Sequence, residues 1–376
     1  MEVVAKGTVF AGEPGSDNQS CTFPEICVLP SGRWLCTIRA TKIKKSLVDN
    51  HQLVTFSDDE GKTWSEPRAP FDPPEVDGKA GVFRTSAPTI LPDGRVICAM
   101  CWVDISDPSL PFFNEETKGI LNSMPFFSYS DDNGQSWSKP ELMNTPPFDI
   151  PFTLTGGVIV LPDGTLACQV ETYKHYNDTV SPWRHRSVLI YSYNSGRTWG
   201  DYVYTSGDPE NRIYYWDQRP GVMTDGRILN VYWTYDTKEA KFRNIHGRES
   251  MDSGKNWSDM WDTGVQTQPA QPLQMPNGKV LMAYVDRTDV PIIKLRASDD
   301  MGRTWPKESE IVLHKGSTLQ NVVKKTMTDT WMEIADYSIG LPATERMSSG
   351  DILVVYYAGE QIDQTKIYWA RVRGSK

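Results

Sequence analysis

Short apolar runs alternate with polar, glycine-bearing breaks along the whole chain, at intervals that suit strands and hairpins. Six phrases share an apolar residue, a polar x-Gly step and a β-rich run: LPSGRWLC (29–36), LPDGRVIC (91–98), LPDGTLAC (161–168), MTDGRILN (223–230), MPNGKVLM (275–282) and MSSGDILV (347–354). Each glycine supplies the left-handed conformation that a tight hairpin needs. In the first five units a second strand pair follows, around SDDEGKTW (57–64), SDDNGQSW (130–137), SYNSGRTW (192–199), SMDSGKNW (250–257) and SDDMGRTW (298–305). Two hairpins per unit predict a four-stranded antiparallel blade. Six units predict an all-β, six-bladed β-propeller forming one domain over residues 1–376. The sixth unit lacks the second phrase, and KIYWARVR (366–373) with VVAKGTVF (3–10) are left to complete a blade and close the ring.

The Ser-to-Trp phrases read as fold devices. Their Ser and Asp oxygens can accept backbone N–H groups inside the turn, Gly relieves the steric cost, and Trp packs beneath. Strand alternation then places both turn types on one rim, so binding groups belong to the other. Seven to ten residues before each hairpin Gly lies the start of an innermost strand: Thr22–Glu25, Arg84–Ala87, Leu154–Gly157, Trp216–Arg219, Gln268–Gln271 and Gly340–Ala343. Glu25, Arg84, Asp217 and Arg219 stand out there. Seven residues after the Gly, Arg39, Glu171 and Trp233 occupy the upper end of the second strand. Two longer segments, 104–122 and 306–340, read as inserted loops, where binding groups concentrate.

Composition narrows the partners. Lys+Arg 39 against Asp+Glu 48 leaves a net charge of −9, which argues against nucleic acid or an anionic membrane as a partner through the general field. The start of the chain has no basic segment followed by a long apolar run, so a cytoplasmic address is expected. Three of the six cysteines, Cys36, Cys98 and Cys168, recur four residues after a turn Gly, as core positions rather than a disulfide framework. The five histidines show no metal-ligand spacing, so neither metal nor other cofactor is expected.

The Ser-x-Asp-x-Gly-x-Thr-Trp turns, following x-Gly hairpins about once per 60 residues, resemble the Asp-box (BNR) repeats of the sialidase (neuraminidase) superfamily across nearly the whole chain. The resemblance implies a sialidase-like propeller and a carbohydrate substrate. Sialidases hold a carboxylate with three arginines and use a Tyr assisted by a Glu as nucleophile, with an Asp as acid/base. The first Arg belongs to an Arg-Ile-Pro motif that here reads Thr22-Phe23-Pro24, so that Arg is absent; Phe83-Arg84-Thr85 offers a cation one blade later. Asp217-Gln218-Arg219 stands near the family's blade-four Glu and Arg, Tyr337-Ser338 near its Tyr, Arg287 near its third Arg, and Glu360 near a late supporting Glu. Asp49 lies in the loop where the family carries its acid/base Asp.

An enzyme would draw its catalytic groups from Glu25, Glu171, Asp217, Tyr337 and Asp49, because glycoside hydrolysis needs two carboxyl groups, or a carboxyl and a Tyr, about one sugar. Arg84, Arg219, Arg287, Arg39, His175 and Trp216 would bind substrate. Asp217 with Arg219 reads equally as a structural ion pair, Glu171 and Asp49 as solvated loop acids, and His175 and His185 as hydrogen-bonded loop residues. Rim aromatics suit either sugar stacking or packing between blades. The expectation is an exo-acting glycoside hydrolase on a terminal sugar of an oligosaccharide or glycoconjugate, with an acidic sugar other than ordinary sialic acid as the candidate. The alternatives are a non-catalytic propeller binding a glycan or protein, and a carbohydrate lyase. Oligomeric state has no signature in the sequence.

Overall fold

Each x-Gly phrase folds as a tight turn between antiparallel strands, as at Gly32 (φ 88°) between Ser20–Val28 and Trp34–Thr41. The computed structural model describes residues 1–144, 148–316 and 337–374. Among these the architecture is all-β, with one 3₁₀ turn at Lys307–Ser309.

Four antiparallel sheets of four or five strands follow one another along the chain, beginning at Gly81, Phe152, Ile213 and Gln268. A fifth sheet, of seven strands, brings the two ends together. In it Ile339–Arg346, Ile352–Gln361 and Gln364–Arg373 lie beside Ser20–Val28, Trp34–Thr41 and His51–Ser57. Its halves meet through the parallel pair Ser20–Thr365, and Glu2–Ala11 pairs antiparallel with Gln364–Arg373. The sheets are arranged as a propeller, and the core lies between neighbours. Ile97, Ala99 and Phe127 of one sheet pack on Val158, Cys168 and Val188 of the next. Each such large apolar side chain contributes about 1.5–3 kcal/mol by leaving water. All six cysteines are buried and unpaired.

The Ser-to-Trp turns are closed systems. Ser57 Oγ accepts the Gly61 amide at 2.8 Å and donates to Asp59 Oδ1 at 2.9 Å, while that carboxylate accepts the Thr63 amide at 2.9 Å. The same arrangement recurs from Ser130, Ser192, Ser250 and Ser298. Trp199 and Trp305 are buried, and Trp64 packs on Trp34 with ring centroids 6.3 Å apart. The Ser hydroxyl and the Asp or Asn side chain are thus used up inside each turn, as a fold device requires.

The opposite ends of the innermost strands carry β-bulges. Register slips between Thr22 and Glu25, Phe83 and Thr85, Trp216 and Arg219, and Gly340 and Ala343. Phe23 (φ 49°), Asp217 (φ 50°) and Leu341 (φ 44°) sit at three of these points in the left-handed region. Such a conformation costs a non-glycine residue roughly 1–2 kcal/mol, and a bulge re-aims the side chains beside it. Of the two inserted loops, 104–122 is described throughout, whereas most of 306–340, residues 317–336, lies outside the described residues.

Candidate active site

The six inner-strand segments converge on one pocket. Phe23, Pro24, Glu25, Arg84–Ala87, Leu154–Gly156, Trp216, Asp217, Arg219, Gln268, Leu341 and Pro342 line it, together with Glu171, Tyr173 and Trp233. It encloses about 920 Å³ between protein atoms, part of it open to solvent. None of the five Ser-to-Trp turns reaches it.

Three carboxyl groups from three sheets meet around one guanidinium. Arg219 Nη2 lies 2.8 Å from Asp217 Oδ1, and Arg219 Nη1 lies 3.5 Å from Glu25 Oε1. Asp217 is held further by Gln268, whose Nε2 donates to Oδ2 at 2.5 Å, and Gln268 is in turn fixed by Arg287 Nη1 at 2.8 Å from its Oε1. Glu171 accepts the Asp217 amide at Oε1 and the Tyr173 hydroxyl at Oε2, the latter at 3.0 Å. The bulge at Asp217 makes this possible, because it frees that amide from the ladder and turns it toward Glu171.

The three acids are not equivalent. Glu171 is 4% exposed, and burial, followed by the negative charge of Asp217, raises its pKa to about 8. Burial also raises Glu25 to about 7, against the opposing pull of Arg219. Asp217 faces a full guanidinium and an amide donor. Near neutral pH Glu171 therefore keeps its proton beside an Asp217 that is paired with Arg219, an asymmetry of the kind acid/base chemistry uses. Trp216, Trp233 and Tyr173 add aromatic surface, and Thr153 and Thr155 add hydroxyl groups. Trp183, Tyr214 and Tyr235 form an aromatic cluster with these residues, so rim aromatics serve both as pocket wall and as packing.

The other candidates fall elsewhere. Asp49 is exposed and lines neither this pocket nor its neighbour. Tyr337 is 2% exposed and also outside both; its ring lies under the Arg287 guanidinium at 4.6 Å, and its carbonyl accepts from Lys44. Arg287 is not among the lining residues and touches the pocket through Gln268 and the Trp233 ring, 5.9 Å from its guanidinium. His175 is exposed, with its ring 2.9 Å from the Asp149 carbonyl, and His185 is buried against the Tyr215 carbonyl. Glu360 is exposed. Arg39 lines an adjoining chamber and Arg84 lines both. Gln268 was not singled out from sequence, although it occupies the same counted position as Trp216, ten residues before its hairpin Gly; Tyr173, a rim aromatic two residues beyond Glu171, lines the pocket beside it.

No protein-family model matches the sequence, and a search of curated proteins returns no match. Among solved structures the chain is similar to a protein of unknown function from Dyadobacter fermentans, at 20% identity over 99% of each chain with a TM-score of 0.74. It is similar to an intramolecular trans-sialidase from Ruminococcus gnavus, solved with oseltamivir carboxylate, at 13% identity over 97% of this chain and 96% of that one with a TM-score of 0.65. It is also similar to an α-L-arabinanase from Penicillium chrysogenum complexed with arabinobiose, at 14% identity over 99% and 98% with a TM-score of 0.63. At these identities the likeness is one of fold.

Proposed function

We propose that this propeller is an exo-acting glycoside hydrolase that removes a terminal sugar from an oligosaccharide or glycoconjugate, with Glu171 as general acid and Asp217 as its ionised partner. The observation that carries the reading is the pair itself. Glu171 keeps a proton to about pH 8 while Asp217, hydrogen-bonded to it through its own amide, is neutralised by Arg219. Glu171 would protonate the departing glycosidic oxygen; Asp217 would attack the anomeric carbon or take a proton from water. Glu25, on the other side of Arg219, would help balance that charge. Walls drawn from every sheet suit a chain end rather than a continuous strand of sugar, and Trp216, Trp233 and Tyr173 suit stacking on its ring. Solved neighbours named as a sialidase and as an arabinanase support a carbohydrate substrate.

The seven-stranded sheet is read as two blades joined at Ser20–Thr365, giving six blades in one domain closed by the terminal strands; six recurring x-Gly turns and the Glu2–Ala11 pairing support this.

The test is a panel of neutral and acidic aryl glycosides and oligosaccharides, including arabinosides and sialosides, with products read by mass spectrometry. Sugar release that Glu171→Gln and Asp217→Asn each abolish is the expected result. An unsaturated, ultraviolet-absorbing product would instead identify a lyase. Binding on a glycan array with no turnover would leave a recognition module.

A further inference from the structure

Beyond Phe23 and Arg84, which line both spaces, lies a second chamber of about 1320 Å³, walled by Arg39, Lys44, Lys45 and the inserted loop 104–122. On the hydrolase reading this chamber receives what the inner pocket does not cut. We propose that it binds an anionic group, carboxylate or sulfate, carried by the sugar unit next to the one removed, with Arg84 as its receptor and the charge of Arg39 beside it.

The charges favour this assignment. Arg39 and Arg84 line the chamber in a chain whose net charge is −9; Lys44 and Lys45 line it too, but the Lys44 ammonium is buried and held by the Tyr337 carbonyl and the Tyr357 hydroxyl. The acids lining it are Asp107 and Glu115, and Asp107 already accepts the Ser109 amide at 3.0 Å and hydroxyl at 2.6 Å. Arg84 has neither an ion pair nor a side-chain hydrogen bond among the described residues. Its guanidinium instead lies 4.4 Å from the Phe112 ring and 5.5 Å from the Phe23 ring. Aromatic rings occupy its faces, and its N–H edges remain for an oxyanion. Arg39 is 3% exposed and held by the Lys44 and Ser46 carbonyls at 3.0 and 2.5 Å, with its guanidinium 5.6 Å from the same Phe23 ring. Burial and the positive charge of Arg84 both act against its protonated form. Arg84 is half-buried with ring faces as its only neighbours, and Arg39 beside it keeps an unpartnered Nε after both Nη groups are taken by carbonyls, so a planar oxyanion on the Arg84 edge would complete two adjacent positive charges that have no carboxylate between them.

The surroundings of Arg219 in the inner pocket do not suit an anion. That guanidinium is already matched by Asp217 and Glu25, so an anion there would face three carboxyl groups. The sugar that is removed is accordingly neutral at that end, and the charge belongs to its neighbour. This separates the arrangement from one in which the carboxylate sits on the reacting ring.

Calorimetric titration of the full chain with matched pairs tests the assignment. One pair is a neutral hexose linked to a hexuronic acid and its methyl ester, the other the same neutral hexose linked to a 6-O-sulfated hexose and its unsulfated parent; each distinguishes acid from neutral at the second unit, and together they distinguish carboxylate from sulfate. The expected result is at least tenfold tighter binding of one acidic member than of its neutral twin at low salt, with the ratio shrinking in 0.3 M NaCl. Arg84→Met brings the ratio to within about threefold of one, and Arg84→Lys restores part of it. A ratio of one in wild type for both pairs, no binding by either pair, or an undiminished ratio in Arg84→Met overturns the proposal. Because binding is read without turnover, the two readings fail separately. Acid preference without sugar release removes the hydrolase, and release without acid preference removes the anion site.

Discussion

Glu171→Gln should make this protein inactive and, at alkaline pH, more stable. Gln keeps the size and hydrogen-bonding capacity of a protonated Glu, so the Asp217 amide and the Tyr173 hydroxyl retain partners. In the unfolded chain Glu171 releases its proton near 4.5, whereas in the fold it holds it to about 8. Between those values the folded state binds the extra proton, so stability falls as pH rises and the loss is complete above about 8. That interval corresponds to about 5 kcal/mol, an upper figure because the site relaxes and its charges are coupled. An unfolding entropy of about 2.1 cal/mol/K per residue, over 376 residues, converts this to a rise in Tm of about 6 °C. Thermal melts of wild type and Glu171→Gln should therefore coincide near pH 4.5 and separate progressively to pH 9, the variant melting higher. Turnover of the best substrate on the panel should fall by at least 10²–10⁴-fold, and the wild-type alkaline limb near pH 8 should vanish with it. A variant that melts lower than wild type at pH 9, or keeps its turnover, would refute the assignment of Glu171 as a buried, protonated acid.

Tyr173→Phe removes a donor that favours ionised Glu171, so the alkaline limb of kcat/KM should move up by about one pH unit, read from the pH profile of the purified variant. Gly61→Ala places a Cβ at φ 81° and 2.6 Å from the Trp34 ring; it should cost more than about 2 kcal/mol, measured by urea unfolding, without altering substrate preference. The six buried thiols, Cys21 pushed up to about 12 and the others raised by burial as well, should resist a maleimide in the native protein and all react in denaturant, counted by mass spectrometry.

Much of this architecture is readable from the chain because its determinants are local. The Ser-to-Trp turn closes the hydrogen bonds of its Ser, its acid or amide and its Gly within eight residues, so its residues suffice to identify it. Each hairpin Gly then fixes where the innermost strand begins, and counting back from it finds all six segments that line the pocket. Glu25, Glu171, Asp217, Arg219, Arg84 and Trp216 were reachable in this way. Asp49 and Tyr337 were placed by likeness to a motif, and they lie outside the pocket because loop length, not strand register, sets their position.

What the sequence alone determined is thus the scaffold and the face to search, since turn chemistry and strand alternation act over a few residues. Which acids meet, and which of them keeps a proton, only the tertiary structure decided. Glu25, Glu171 and Asp217 come from separate sheets, and the bulges at Phe23 and Asp217 break the two-residue alternation by which side-chain direction is read. The raised pKa of Glu171 exists only where another sheet delivers Asp217 and the surrounding wall removes water.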